Sequence, residues 1–246
     1  RKMAVVLATP SGAKPAWMAR KYPEVRRMHH GGPHGNLDLQ REAQHGRHNH
    51  CFTSPVYRRL AQRINRALAE RYKDHPALAL WHLSNEVSGE CQCPLCKTAF
   101  RDWLKRRYGT IAALNQAWWT GFWAHAYGAW EEIDFIDGSL PAMVVDWKRF
   151  VTDQTVDFFE AEAAPLREVT PGVPLTLNLM GFFEGIDYWK LARVIDVVSW
   201  DNYPRYHNRP DNAATAAFIG MTHDLNRSMG QGRPFPGVPG GDIADD

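Results

Sequence analysis

The sequence lacks a marked excess of either charge: 29 Lys and Arg stand against 27 Asp and Glu, a formal net charge of +2. That balance does not make nucleic acid or an anionic membrane the expected partner, because both leave a strong basic footprint. Also missing is any apolar run approaching about 20 residues, so no membrane-spanning helix is expected. Cysteine is sparse, at 4 in 246 residues, and three of the four fall within six residues, a clustering unlike a disulfide framework in a chain this long. No internal repeat is visible. What is plentiful is tryptophan, with 10 residues, and aromatics reach 12% of the chain, which suggests flat surfaces that stack on rings. The length allows one or two domains and also matches the roughly 250 residues of a single (β/α)8 barrel.

Four short apolar runs, Met3 to Thr9, Leu78 to Leu83, Pro174 to Asn178 and Val194 to Trp200, each end in polar residues. Runs that are apolar on both faces are how parallel strands covered by helices read. Helical patterns lie between them. From Pro55 to Tyr72, Ser54 is placed to cap, Pro55 takes the first helical position, and Val56, Leu60, Ile64 and Leu68 recur at the spacing of one buried face. The opposite face, with Arg58, Arg59, Arg63 and Arg66, reads as solvated. A second helix is predicted from Lys97 to Tyr108 with Gly109 as its stop, and a longer third from Pro141 to just before Pro171. Strand and helix in alternation predict an α/β fold with a parallel sheet.

Two stretches depart from this pattern. Residues His29 to His50 hold six of the eleven histidines among Gly, Pro and Asn, and read as a long loop serving as a lid, a substrate loop or a metal-binding tract. The segment Pro236 to Asp246 is Gly-, Pro- and Asp-rich and is expected to be a disordered tail. The chain opens at Arg1, directly into a strand-like run, so the natural N-terminus is expected upstream.

In parallel α/β folds the chemistry sits at the carboxyl ends of the strands. The second run ends in Ser84-Asn85-Glu86, the third in Asn178-Leu179-Met180-Gly181, and the fourth in Trp200-Asp201-Asn202-Tyr203. A carboxyl group at the rim of an aromatic-rich pocket can be kept protonated by desolvation and so serve as a general acid, the role expected of Glu86. Asn85 is placed to hydrogen-bond a sugar hydroxyl. Three cysteines, Cys91, Cys93 and Cys96, fall within six residues and Cys51 stands apart. Such a knuckle plus one suits a tetrahedral four-thiolate zinc site and implies a reducing, cytoplasmic compartment. A structural zinc there would brace the loop carrying Glu86. Trp118, Trp119 and Trp123 cluster after the knuckle and read partly as a stacking surface.

Taken together, these motifs resemble glycoside hydrolase family 42, the bacterial β-galactosidases with a TIM-barrel catalytic domain. The resemblance runs from Val5-Val6-Leu7-Ala8-Thr9-Pro10 and Pro15-Ala16-Trp17 through Ser54-Pro55-Val56-Tyr57-Arg58, Asn85-Glu86 and Cys91 to Cys96. It continues through Arg107-Tyr108-Gly109-Thr110, Ala117-Trp118 and Phe122-Trp123 to Asn178 through Phe183 and Ser199-Trp200-Asp201. It implies a partial (β/α)8 barrel over residues 1–235, covering roughly strands three to six, and a retaining glycosidase cleaving terminal β-D-galactosyl groups. Glu86 would match the proton donor, and Arg47, Asn85 and Trp123 the substrate-binding residues. Cys51, Cys91, Cys93 and Cys96 would match the ligands of a structural Zn2+. A galactoside substrate and, for the full-length protein, a homotrimer are further implications.

The retaining mechanism needs two carboxyl groups about 5–5.5 Å apart. In the family the nucleophilic Glu follows a seventh strand in a Met-Glu-Gln context, and the match here stops at Phe235, so the chain is expected to end before its nucleophile. Asp201 is expected to have a structural or binding role rather than to substitute for it. The alternative reading is a catalytically inactive, zinc-stabilised carbohydrate-binding remnant. A nucleic-acid-binding zinc ribbon is disfavoured by the cysteine spacing and the weak basic excess.

Overall fold

The computed structural model describes residues 3–30, 39–87, 90–134, 140–203 and 212–231; the predicted tail at 236–246 lies outside them. The chain forms two compact units, one of residues 1–12, 60–88 and 159–246, the other of 13–59 and 89–158. Among the described residues no helix is long and apolar enough to cross a membrane.

The first unit is built on a parallel sheet of four strands, β1 (Val5–Ala8), β4 (Leu78–His82), β5 (Leu175–Leu179) and β6 (Val197–Trp200), in the order β1-β4-β5-β6. Every neighbouring pair is parallel, so all four carboxyl ends emerge on one side. The apolar centre holds Leu80, Trp81, Leu83, Leu175, Leu177, Leu191 and Ile195, each nearly or wholly buried. Burying the Trp81 indole requires a partner for its N–H, and Thr170 Oγ1 accepts at 3.0 Å. At the outer edge β1 is poorly covered, with Val5 and Val6 exposed. Helix α7 (Asn212–Met229) follows β6.

Two long helices, α2 (Pro55–Tyr72) and α5 (Pro141–Val169), have residues in both units. Ser54 caps α2 as predicted, accepting from the Tyr57 N–H at 3.3 Å. The buried face of α2 differs from the expected one. Tyr57, Ala61, Asn65 and Ala69 are buried, whereas Ile64 is 43% exposed. The stripe is turned by one residue because Asn65 reaches across to α5, donating its amide to the Glu162 carbonyl at 3.1 Å.

The second unit packs α3 (Pro94–Tyr108), α4 (Ile111–Trp118) and the first part of α5 around Phe100, Leu104, Leu114, Trp118, Trp147 and Phe150. Helix α3 begins at Pro94 rather than Lys97, because Pro94 at the first helical position starts it within the cysteine knuckle. It stops at Gly109, whose φ of 73° closes the last turn. Of the histidine-rich segment expected as a long loop, residues 31–38 lie outside the described ones; on either side of them β2 (Met28–His30) pairs antiparallel with β3 (Leu39–Arg41). His48 and His50 are core residues, His50 stacking on Tyr57 at 4.0 Å between ring centroids. Burial lowers the pKa of both, that of His48 to about 4.

Candidate active site and metal centre

Because the four strands are parallel, the residues after β1, β4, β5 and β6 meet in the first unit. Thr9 follows β1, Ser84-Asn85-Glu86 follows β4, Asn178 lies near the end of β5, and Asp201 follows β6. The segment 84–86 does not continue the sheet. Ser84 and Glu86 have φ of 53° and 36°, the left-handed region that residues with a side chain seldom occupy.

Side chains hold this turn where backbone pairing has ended. The Ser84 N–H donates to Thr9 Oγ1 at 2.8 Å. His82 Nδ1 bonds the Ser84 carbonyl at 2.9 Å, and since a carbonyl only accepts, that nitrogen carries the proton. The Glu86 N–H donates to Asn178 Oδ1 at 2.9 Å. Asn178 Nδ2 in turn donates to Asp201 Oδ1 at 2.8 Å and to Asn85 Oδ1 at 3.3 Å. Asn85, Glu86 and Asp201 are each half-buried. Burial pushes the His82 pKa down, opposed by the Ser84 bond and the Asp201 charge. Asp201 Oδ2 is buried with no hydrogen-bond partner among the described residues.

Sequence reasoning singled out Asn85 and Glu86, and the turn brings them together with Asn178 and Asp201. It did not assign Asn178 a role, although an Asn at the end of an otherwise apolar strand was the available signal. Thr9 and His82 carried no signal of their own.

The remaining predicted site residues belong to the second unit. Arg47 is exposed, on a segment whose neighbours Gly46 and His48 have φ of 87° and 56°. Asn49 pins that turn by donating to the carbonyls of Ala43 at 2.7 Å and His45 at 2.6 Å, and the buried Lys14 ammonium donates to the Asn49 carbonyl at 3.2 Å. The tryptophan cluster separates into two roles. Trp118 is core, its Nε1 bonded to Asp146 at 2.9 Å, whereas Trp119, Phe122 and Trp123 are 73%, 67% and 79% exposed. Phe122 and Trp123 meet edge to face at 5.2 Å, the geometry aromatic pairs prefer.

The four cysteines do converge. Cys51, Cys91, Cys93 and Cys96 are all buried, and their sulfurs lie within 4.8 Å of one another. Cys51 Sγ is 3.4 Å from Cys96 Sγ and 3.6 Å from Cys93 Sγ, and Cys93 and Cys96 are 3.8 Å apart. Tetrahedral ligation at Zn–S distances of about 2.3 Å places sulfurs about 3.8 Å apart, so this donor set is shaped to hold a metal ion. Hydrogen bonding from Cys91, Cys93 and Cys96, together with burial, pushes the Cys51 thiol well up. Hydrogen bonds from Cys51, Cys91 and Cys96 hold Cys93 well below the ordinary range. Four thiolates cannot coexist there without a cation to neutralise them.

The family model described as Beta-galactosidase (Glyco_hydro_42) matches residues 1–238. Beta-galactosidase BglY of Alicyclobacillus acidocaldarius is 52% identical over 229 residues, covering 92% of this chain and 32% of that protein. Among solved structures, the β-galactosidase of Rahnella sp. R3 aligns with a TM-score of 0.86 at 47% identity, covering 93% of this chain and 33% of its own. Gan42B, a GH42 β-galactosidase of G. stearothermophilus, gives 0.86 at 51% identity, covering 93% and 34%. The chain therefore spans about a third of the length of the proteins it matches.

Proposed function

Since the chain belongs to glycoside hydrolase family 42, with the α/β architecture of a partial TIM barrel, we propose that it carries the acid half of a retaining β-galactosidase. The observation that carries this reading is the convergence of Asn85, Glu86, Asn178 and Asp201 at the carboxyl ends of three adjacent parallel strands. That is where α/β barrels do their chemistry.

In this reading Glu86 gives its proton to the glycosidic oxygen as the bond to the galactosyl group breaks, and later takes a proton from the attacking water. Asn85, bonded to Asn178 through its Oδ1, keeps its side-chain N–H group for a sugar hydroxyl. Arg47 binds the substrate, and the exposed Trp123 offers a ring face to the sugar. The nucleophilic carboxylate completing the pair comes from residues other than these.

Cys51, Cys91, Cys93 and Cys96 would hold a structural zinc, whose charge neutralises their thiolates and ties Cys51 to the knuckle at 91–96. A galactoside substrate, a homotrimeric assembly and a cytoplasmic location complete the proposal.

The test uses the full natural chain that carries this sequence. Glu86→Gln should abolish cleavage of galactosides with poor leaving groups and spare much of the activity on activated aryl galactosides. Equal loss on both removes Glu86 from the acid role. Binding of a chromogenic galactoside without turnover by the unaltered chain supports a carbohydrate-binding remnant instead.

A further inference from the structure

We propose that Asn178 is a positioning residue for the proton donor, and that Asp201 sets the orientation of its amide. The inference rests on reading Glu86 as the acid. It starts from the turn at 84–86, whose left-handed φ values at Ser84 and Glu86 are unfavourable for residues with a Cβ and persist only where the surroundings impose them. Among the side chains that impose them, Thr9 and His82 grip Ser84 on its N–H and its carbonyl, and Asn178 grips Glu86 through the backbone N–H.

An asparagine amide can point either way round. Here a carboxylate decides. Asp201 Oδ1 accepts from Asn178 at 2.8 Å, and an ionised carboxylate has no proton to give, so the Asn178 amino group must face Asp201. The carbonyl oxygen is thereby turned to the Glu86 N–H. In the flipped amide, N–H would oppose N–H at Glu86 and oxygen would oppose oxygen at Asp201. The chain of bonds from β6 through β5 to the end of β4 thus fixes the backbone from which the acid projects. The second bond of the amino group, to Asn85 Oδ1 at 3.3 Å, aligns the adjacent residue in the same act.

Asn178 does not reach the scissile bond in this account; it acts through Glu86. Displacing a catalytic group by about 1 Å costs about 10²-fold in rate, and the loss should fall on substrates that need the proton. Three variants of the full natural chain test this: Asn178→Ala, Asn178→Asp and Glu86→Ala, assayed against phenyl and 2,4-dinitrophenyl β-galactosides across pH. For Asn178→Ala we expect kcat/KM to fall about 10²-fold on the phenyl substrate and by less than about threefold on the dinitrophenyl one, whose kcat and KM should fall together because the displaced Glu86 also serves as base in the second step.

Asn178→Asp supplies a signature that lost packing does not produce. When protonated, the new carboxyl can accept from the Glu86 N–H and donate to Asp201, as the amide does. When ionised, it repels Asp201; His82, the other titratable side chain bonded to residue 178, has its own pKa pushed down by burial. The activity of Asn178→Asp relative to the unaltered enzyme should therefore rise about tenfold or more as pH falls from about 7 to about 4.5, through the carboxyl range. This ratio decides the matter if Asn178→Ala does not fold.

Equal loss on both substrates in Asn178→Ala, or a pH-independent ratio in Asn178→Asp, overturns the positioning role. If Glu86→Ala shows the leaving-group dependence and the Asn178 variants do not, only this inference fails. If Glu86→Ala loses both activities equally, the assignment of the acid fails and this inference with it.

Discussion

Gln62 Nε2 on α2 donates to the backbone carbonyl of Ala161 on α5 at 3.0 Å. That carbonyl is the one Pro165, four residues on within the same helix, has no N–H to satisfy. A side chain from one helix thus completes the hydrogen bonding that proline interrupts in another. Replacing Gln62 by Leu should cost about 1 kcal/mol, the worth of one such bond. In a Pro165→Ala background, where the helix supplies its own donor, the cost should shrink. A double-mutant cycle by urea denaturation measures the difference, and additive losses would refute the pairing.

Glu162 lies one residue further along α5 and is wholly buried, its Oε1 accepting from Thr9 Oγ1 at 3.1 Å and Asn65 Nδ2 at 3.3 Å. Burial raises its pKa despite the bonds from Ser11, Asn65 and Thr9. The folded state therefore binds the proton more tightly than the unfolded one. Stability should fall as pH rises from the ordinary glutamate range to the raised folded value. Glu162→Gln keeps the shape without the charge, so its stability should lack this slope. Denaturation midpoints measured between pH 4 and 7 decide it, and parallel curves for the two proteins would exclude Glu162 as the source.

The four-sulfur cluster predicts one bound zinc per chain. Cys93→Ser should abolish that stoichiometry, as measured by metal analysis after dialysis. Leaving the remaining thiolates without a counter-ion should cost about 3–5 kcal/mol, as when a buried ion pair is broken. For a chain of this size that lowers Tm by about 6–20 °C. Strong chelation should reproduce the shift, and a chain that holds no metal and is indifferent to chelator would dismiss the centre.

Asp146, only 1% exposed, accepts from Trp118 Nε1 at 2.9 Å and from Arg149 at 3.0 Å, and is also bonded by the Tyr108 hydroxyl. Asp146→Ala leaves the indole N–H and the phenol without their acceptor, at an expected cost of about 2–3 kcal/mol. Asp146→Asn retains one acceptor oxygen and should cost less. Chemical denaturation of both variants tests the order; an equal cost would mean that packing, not these bonds, holds the site.

Much of this molecule could be read from residue order alone. Apolar runs ending in polar residues placed the four strands and the polar residues at their carboxyl ends. Ser54-Pro55 marked a helix start and Gly109 a helix stop, because capping and φ preference are local. The spacing of Cys91, Cys93 and Cys96 put three thiols together, since thiols so near in sequence cannot be far apart in space, whereas Cys51, 42 positions from Cys93, joined them only through the fold. What depended on neighbours distant in the chain was decided only by folding. The buried stripe of α2 turned by one residue because Asn65 found Glu162 97 positions away. Trp118 and Trp119 are adjacent in sequence, yet one is buried against Asp146 and the other is exposed. Asn178 gained its place beside Glu86 because β4, β5 and β6 lie side by side and parallel. Capping, turn and knuckle energies act over a few bonds and are inscribed in the local order of residues. Hydrogen bonds and packing between strand ends act through space, and exist only once the sheet has brought those ends together.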